Sequence, residues 1–137
     1  MSLQADDRNS LVQLELEKAR RTFSEVAKLK DLGYWETLAN RLYYAVFHAV
    51  SALLVSDGHK VGTHHGSIAV FSLHYVKTGK FSPEEGRLYS QLETMRERGD
   101  YDIIFHVTPE EVEPRIIPAG EMIDHIEQYI VQRHGRK

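Results

Sequence analysis

The run from Tyr34 to Ser56 is apolar on almost every side of a helical wheel, with Trp35, Leu38, Leu42, Tyr43, Val46, Phe47, Ala49, Val50, Leu53 and Leu54 spread around it. A helix hydrophobic all round belongs at the centre of a bundle, because no orientation at a surface would hide it. One narrow stripe breaks the pattern. With Arg41 at zero and about 100° per residue, Tyr44, His48, Ser51 and Thr37 fall beside it. A charged arginine and a histidine on such a helix must find partners or a wet cleft, since an unpaired buried charge is very costly. The stripe therefore reads either as an internal polar network, with Arg41 pairing with an acid on another helix, or as the floor of a functional groove.

The other segments also have the helical period. Leu11 to Leu29 carries apolar residues at steps close to 3.6, with Ser10 as a candidate N-cap and Gly33 able to take the left-handed stop. Tyr34 to Ser56 ends at Asp57-Gly58, and His64 to Thr78 ends at Gly79. Ser82-Pro83-Glu84-Glu85 combines a hydroxyl cap, a proline in the first turn and a capping-box acid, and it starts a fourth helix that ends at Gly99. Thr108-Pro109-Glu110-Glu111 repeats that start before a seam of Ile116, Ala119, Ile123, Ile126 and Ile130. Pro114 and Pro118 fall inside this last span, so it is either kinked or begins properly near Pro118. The sequence shows no alternating β-branched run, repeat or linker. The expectation is an all-α, up-and-down bundle of four to five helices, one domain over 1–137, with 1–9 and 134–137 flexible.

Composition narrows the chemistry. Cysteine is absent, which excludes disulfides, thiolate metal sites and cysteine nucleophiles. Seventeen basic against twenty acidic residues leave a net charge of −3, so any contact with nucleic acid needs a local patch. Such patches are offered by Lys18, Arg20, Arg21, Lys28 and Lys30, and by Arg133, Arg136 and Lys137. The opening MSLQADDRNS lacks the apolar core of a signal peptide, and Tyr43 to Val55 is too short to span about 30 Å of hydrocarbon. The chain is expected to be cytoplasmic and not membrane-bound. Eight histidines are many for 137 residues and point to chemistry near neutral pH. No glycine-rich phosphate loop and no His-Glu-x-x-His occur, and adjacent His64 and His65 cannot easily grip one metal from a helix. Neither a metal nor a cofactor is expected.

A second constellation lies at Met95-Arg96-Glu97-Arg98-Gly99-Asp100-Tyr101, read as the turn after the fourth helix, with His106 before the next cap. Arginines at a helix end are favoured by the dipole alone. They can also grip a phosphate bidentately, while histidine moves a proton near pH 7. Together these are the minimum needed to cleave an RNA backbone without metal. An anion is expected near Arg96 or Arg98 with help from Arg41, unless Asp100 neutralises one arginine and makes the turn a structural clasp.

The string Arg41-Leu42-Tyr43-Tyr44-Ala45-Val46-Phe47-His48-Ala49, then Thr63-His64-His65-Gly66, then Arg96-Glu97-Arg98-Gly99-Asp100-Tyr101 resembles the HEPN domain superfamily. It is most similar to a small stand-alone branch marked by Arg-x-Tyr-Tyr-Ala-x-Phe, a Ser/Thr-His, and Arg-x-x-Ala/Gly-Asp-Tyr. Either Arg96 or Arg98 matches the last arginine. The resemblance covers about residues 10 to 133. It implies a helical bundle, usually a homodimer, that binds RNA or nucleotides. Many members are metal-independent ribonucleases using Arg and His with four to six residues between them, often as toxins paired with a nucleotidyltransferase antitoxin. Others are non-catalytic binding modules. Here Arg98 and His106 have seven residues between them and Arg96 and His106 nine, whereas Arg41 and His48 have six. On this basis Arg98 and His106 are the candidate catalytic pair, with Arg41, His48 and Arg96 as alternatives. Arg41, Tyr44, His48, His64, His65, Arg96, Asp100 and Tyr101 are the candidate ligand-binding residues.

Overall fold

The computed structural model describes residues 5–60, 62–101 and 106–134. Among them every regular element is helical: α1 (Ala5–Phe23), α2 (Val26–Leu32), α3 (Trp35–Ser56), α4 (His64–Phe71) continued by a π-helical turn (Ser72–Val76), α5 (Pro83–Tyr101), α6 (Pro109–Val112) with a 3₁₀ turn (Glu113–Arg115), and α7 (Ile116–His134). These make five rods, since α1 and α2 are separated only by Ser24 and Glu25 and the π and 3₁₀ turns join their neighbours directly. The chain is an all-α bundle.

Three local expectations need correction. Helix α1 begins at Ala5, so Ser10 lies inside it and is no N-cap; the acids Asp6 and Asp7 serve the first turn instead. Gly99 does not end α5, which runs on to Tyr101. A Cβ at Gly99 would meet Val107 at 3.5 Å and Glu36 at 3.8 Å, ordinary contact distances, so the helix runs through a glycine that space does not require. The Arg96–Tyr101 motif is thus the last turn and a half of a helix. The span read as one helix from Leu11 to Leu29 is broken at Ser24 and Glu25. The glycine stops fall where expected. Gly33 closes α2 at φ 75°, and Gly79 follows the π turn at φ 80°, conformations that disfavour other residues. Both capping boxes form: the Ser82 amide donates to Glu85 at 2.8 Å with the return bond at 3.1 Å, and Thr108 pairs reciprocally with Glu111. Pro114 sits in the 3₁₀ turn and Pro118 in the first turn of α7, where a missing N–H costs little.

Helix α3 is the central post, with 14 of its 22 residues buried. By length and hydropathy it could cross a membrane, yet 72% of its apolar window is buried against the rest of the protein. Helices α1 and α5 pack antiparallel to it. Glu15 meets His48, and Asp100 meets Asn40 near the opposite end. Helix α7 runs parallel, bringing His134 to Asp57 at the end of α3. The α4 start, with Thr63 capping Gly66 at 2.9 Å, reaches only the middle of α3. Between α1 on one side and α4 and α5 on the other, one face of α3 stays partly uncovered.

Candidate functional site in the cleft over α3

The uncovered face carries Arg41, Tyr44, Phe47 and His48, all only partly buried. Three neighbours close in on it. From α5, Arg96 lays its guanidinium over Tyr43 at 5.0 Å, Tyr44 at 5.8 Å and Tyr101 at 6.0 Å. From α3 itself, Arg41 stacks on Tyr44 at 5.5 Å. Two guanidiniums therefore converge on one tyrosine ring, an arrangement favoured by the negative faces of the aromatics. From α4, the His64 ring packs against Phe47 at 4.6 Å and Tyr44 at 5.5 Å. Its Nδ1 lies 2.8 Å from the Tyr43 hydroxyl. Burial, reinforced by the positive charge of Arg96, holds its pKa below the ordinary histidine value.

A polar chain ties the two arginines together. Arg41 donates twice to Asn40 Oδ1, at 2.7 and 3.1 Å. Asn40 Nδ2 donates to Asp100 Oδ2 at 3.5 Å, and Asp100 lies 3.6 Å from Arg96. Asp100 is thus a loose clasp shared between α3 and α5, and Arg96 is the arginine it touches. Arg96 is only 6% exposed, and its Nε lacks a hydrogen-bond partner among the described residues.

The candidate residues divide into groups. Arg41, Tyr44, His48, His64, Arg96, Asp100 and Tyr101 border the cleft. His48 is engaged, its Nδ1 lying 2.7 Å from Glu15. His65 stands at the rim, 90% exposed, 3.4 Å from the buried Glu93. Arg98 and His106 are elsewhere. Arg98 is two residues from Arg96 and so on the other side of α5, where it is ion-paired with Glu111, whose carboxyl it holds below the usual range. His106 is 2.9 Å from Glu36. Among the described residues no hydrogen bond joins Arg98 to His106; each is paired with a different carboxylate. Ser51 is fully buried below the stripe and Thr37 lies exposed outside it.

Sequence reasoning missed Asn40, Glu15 and Tyr89, and it gave Tyr43 no role at the site. Asn40 is one turn before Tyr44 on an otherwise apolar helix, a polar signal of the same kind as Arg41. The others could not be singled out, because their partners come from different helices. A groove of about 360 Å³ lies away from this cleft, between α1 and α7, but its Arg20 is occupied by Asp124 at 2.7 Å and Glu127 at 2.6 Å. Among the described residues no group of three or more metal-ligating side chains comes together.

Comparison with known proteins agrees with this architecture. The HEPN domain profile matches residues 12–129. A UPF0332 protein of Thermotoga maritima is 31% identical over 125 residues, covering 91% of this chain and 95% of that protein. Two proteins of Methanocaldococcus jannaschii, named "Putative toxin MJ0605" and "Putative toxin MJ0142", are 29% and 22% identical over 85% and 87% of this chain, covering 87% and 81% of their own lengths. A bundle organised around the Arg41–His48 helix, with Arg96, Asp100 and Tyr101 closing over it, together with a match across most of the chain, places this protein in the HEPN domain family.

Proposed function

We propose that the cleft over α3 binds the phosphate of an RNA or nucleotide, and that the protein acts as a metal-independent ribonuclease toxin paired with a nucleotidyltransferase antitoxin. The single observation that carries the binding reading is the convergence of Arg41 and Arg96 on Tyr44, at 5.5 and 5.8 Å. Two guanidinium forks beside aromatic rings suit a phosphate flanked by a base, with Tyr101, 76% exposed, available for stacking. Toxin-named relatives support the biological setting. The purified protein is incubated with a mixed RNA pool with and without chelator, and the ends of the products are analysed. Cleavage that survives chelator and leaves 2′,3′-cyclic phosphate ends supports the ribonuclease reading. Binding is followed by fluorescence anisotropy of a labelled oligoribonucleotide, and both Arg41→Ala and Arg96→Ala are expected to weaken it.

A second reading is favoured by Arg98 and His106, each held by a carboxylate and not by the other. On it the chain is a non-catalytic dimeric interaction module whose polar stripe is structural. Bound but intact RNA, or no RNA binding at all, selects this reading. A homodimer is expected in both, because Tyr44 and Phe47 leave aromatic surface partly open on α3. Light scattering at tens of micromolar should give twice 15.8 kDa, and a monomeric mass would refute the dimer.

A further inference from the structure

We propose that His64 is the residue that presents a proton to a phosphate oxygen in this cleft, and that Tyr43 is the positioning residue that decides which ring nitrogen carries it. The inference rests on the reading of the cleft as a phosphate site. Behind His64 lies a cluster of buried hydroxyls. Ser67 Oγ is 2.5 Å from the Tyr89 hydroxyl, and the Tyr43 hydroxyl is 2.8 Å from His64 Nδ1. Tyr43, Tyr89 and Ser67 are at most 1% exposed, and the two tyrosine rings stack at 6.0 Å and 15°.

Counting protons sets the polarity of the Tyr43–His64 bond. Each hydroxyl has one proton to donate. If Tyr43 donates to Nδ1, its buried proton has an acceptor. In the reverse direction the Tyr43 proton has none among the described residues, and a buried donor without a partner is strongly disfavoured. Nδ1 therefore accepts, and the neutral imidazole carries its hydrogen on Nε2. No described residue takes that hydrogen. The charged and titratable groups that act on the ring are Arg96, Glu93, His48 and Glu97, with burial and Arg96 outweighing the acids and favouring the neutral form. Arg41 and Arg96 then supply charge to a phosphate, while His64 supplies one directed N–H.

Nitrogen-15 imidazole spectra of the whole protein test this without any activity assay. In the wild type, His64 should show a protonated Nε2 and an unprotonated Nδ1. Titration with inorganic phosphate should shift the Nε2 signal. Tyr43→Phe should give a mixture of tautomers and weaken phosphate binding by roughly two- to tenfold, as expected for one misdirected hydrogen bond. Ser67→Ala should keep the wild-type tautomer, because the Tyr43 proton still has only Nδ1 as acceptor among the described residues. Should Tyr43→Phe fold poorly, Ser67→Ala and the wild-type spectrum still decide the matter. A wild-type ring protonated on Nδ1, a mixed tautomer in Ser67→Ala, or phosphate that binds without moving the Nε2 signal would each overturn the proposal while leaving the cleft intact. A wild-type protein that shows the Nε2–H tautomer but binds no phosphate would overturn the reading of the cleft, and the donor role with it.

Discussion

Arg96 is 6% exposed, yet the carboxylate it pairs with among the described residues, that of Asp100, lies 3.6 Å away and is itself 36% exposed. Its charge is balanced mainly by the faces of Tyr43, Tyr44 and Tyr101. The methylene stem fills the gap between α5 and α3, so truncation removes packing as well as charge. Arg96→Ala should therefore cost about 2 kcal/mol of stability by urea unfolding. Asp100→Ala should cost well under 1 kcal/mol, as for other solvent-exposed pairs on a helix. Equal losses in the two variants would mean that the carboxylate, not the rings, holds the guanidinium. Ser51 poses the opposite problem. It belongs by spacing to the polar stripe, but its Oγ is buried without a hydrogen-bond partner among the described residues. Ser51→Ala removes an unsatisfied hydroxyl and should be neutral or stabilising by up to about 1 kcal/mol, read as a higher urea midpoint. A clear destabilisation would show that the hydroxyl has a partner after all.

At the scale of elements, the entry into the last rod combines two jobs in one acid. Glu111 closes the capping box with Thr108 and also takes the ion pair from Arg98 on α5. It thereby fixes both where α6 starts and how α5 meets it. Thr108→Ala should cost about 1 kcal/mol by thermal or chemical denaturation, the usual loss for an N-cap hydroxyl. A loss near zero would mean that Arg98 and Glu111 hold the junction unaided. The prolines show how local rules and context combine. Pro114 falls in the 3₁₀ turn and Pro118 in the first turn of α7, so neither interrupts a hydrogen-bonded interior. The two possibilities in the sequence, a kink or a late start, thus resolve into an entry through α6 and the 3₁₀ turn, with α7 itself beginning at Ile116.

Across the whole molecule, Asp57 links three rods at the end of the bundle remote from Arg96. Tyr75 from the π turn donates to it at 2.6 Å, His134 of α7 lies 2.8 Å away and Arg133 3.5 Å. Burial alone would raise its pKa, but the Tyr75 hydroxyl, His134 and Arg133 together hold it below the ordinary aspartate value. A depressed carboxyl pKa stabilises the fold above the unfolded value near 4, and the contribution is lost as pH falls through the lower folded value. His64 acts over a different range. Its depressed pKa means that the unfolded chain takes up the proton first, so stability should decline as pH drops below about 6.5. Asp57→Asn should lower stability by about 2 kcal/mol at pH 7 and flatten the acid limb below pH 4, leaving the decline from pH 6.5 in place. An unchanged acid limb would mean that another carboxylate governs it.

The helices and their stops were legible in the residues because helical period, capping boxes and glycine stops are local signals, complete within a few positions. The polar stripe Arg41-Tyr44-His48 was legible for the same reason: its spacing is a property of one helix, and an almost wholly apolar helix has to be central. Local signals fell short where neighbours set the outcome. Gly99 reads as a stop, but α5 continues through it to Tyr101. Arg96 and Arg98 are equivalent in sequence, and they part because two residues on a helix differ by about 200°, turning one to the tyrosines and the other to Glu111. The partners of His48, His64 and Arg96 could be assigned only once separate rods were brought together, since contacts between helices depend on distances that no one-dimensional spacing encodes.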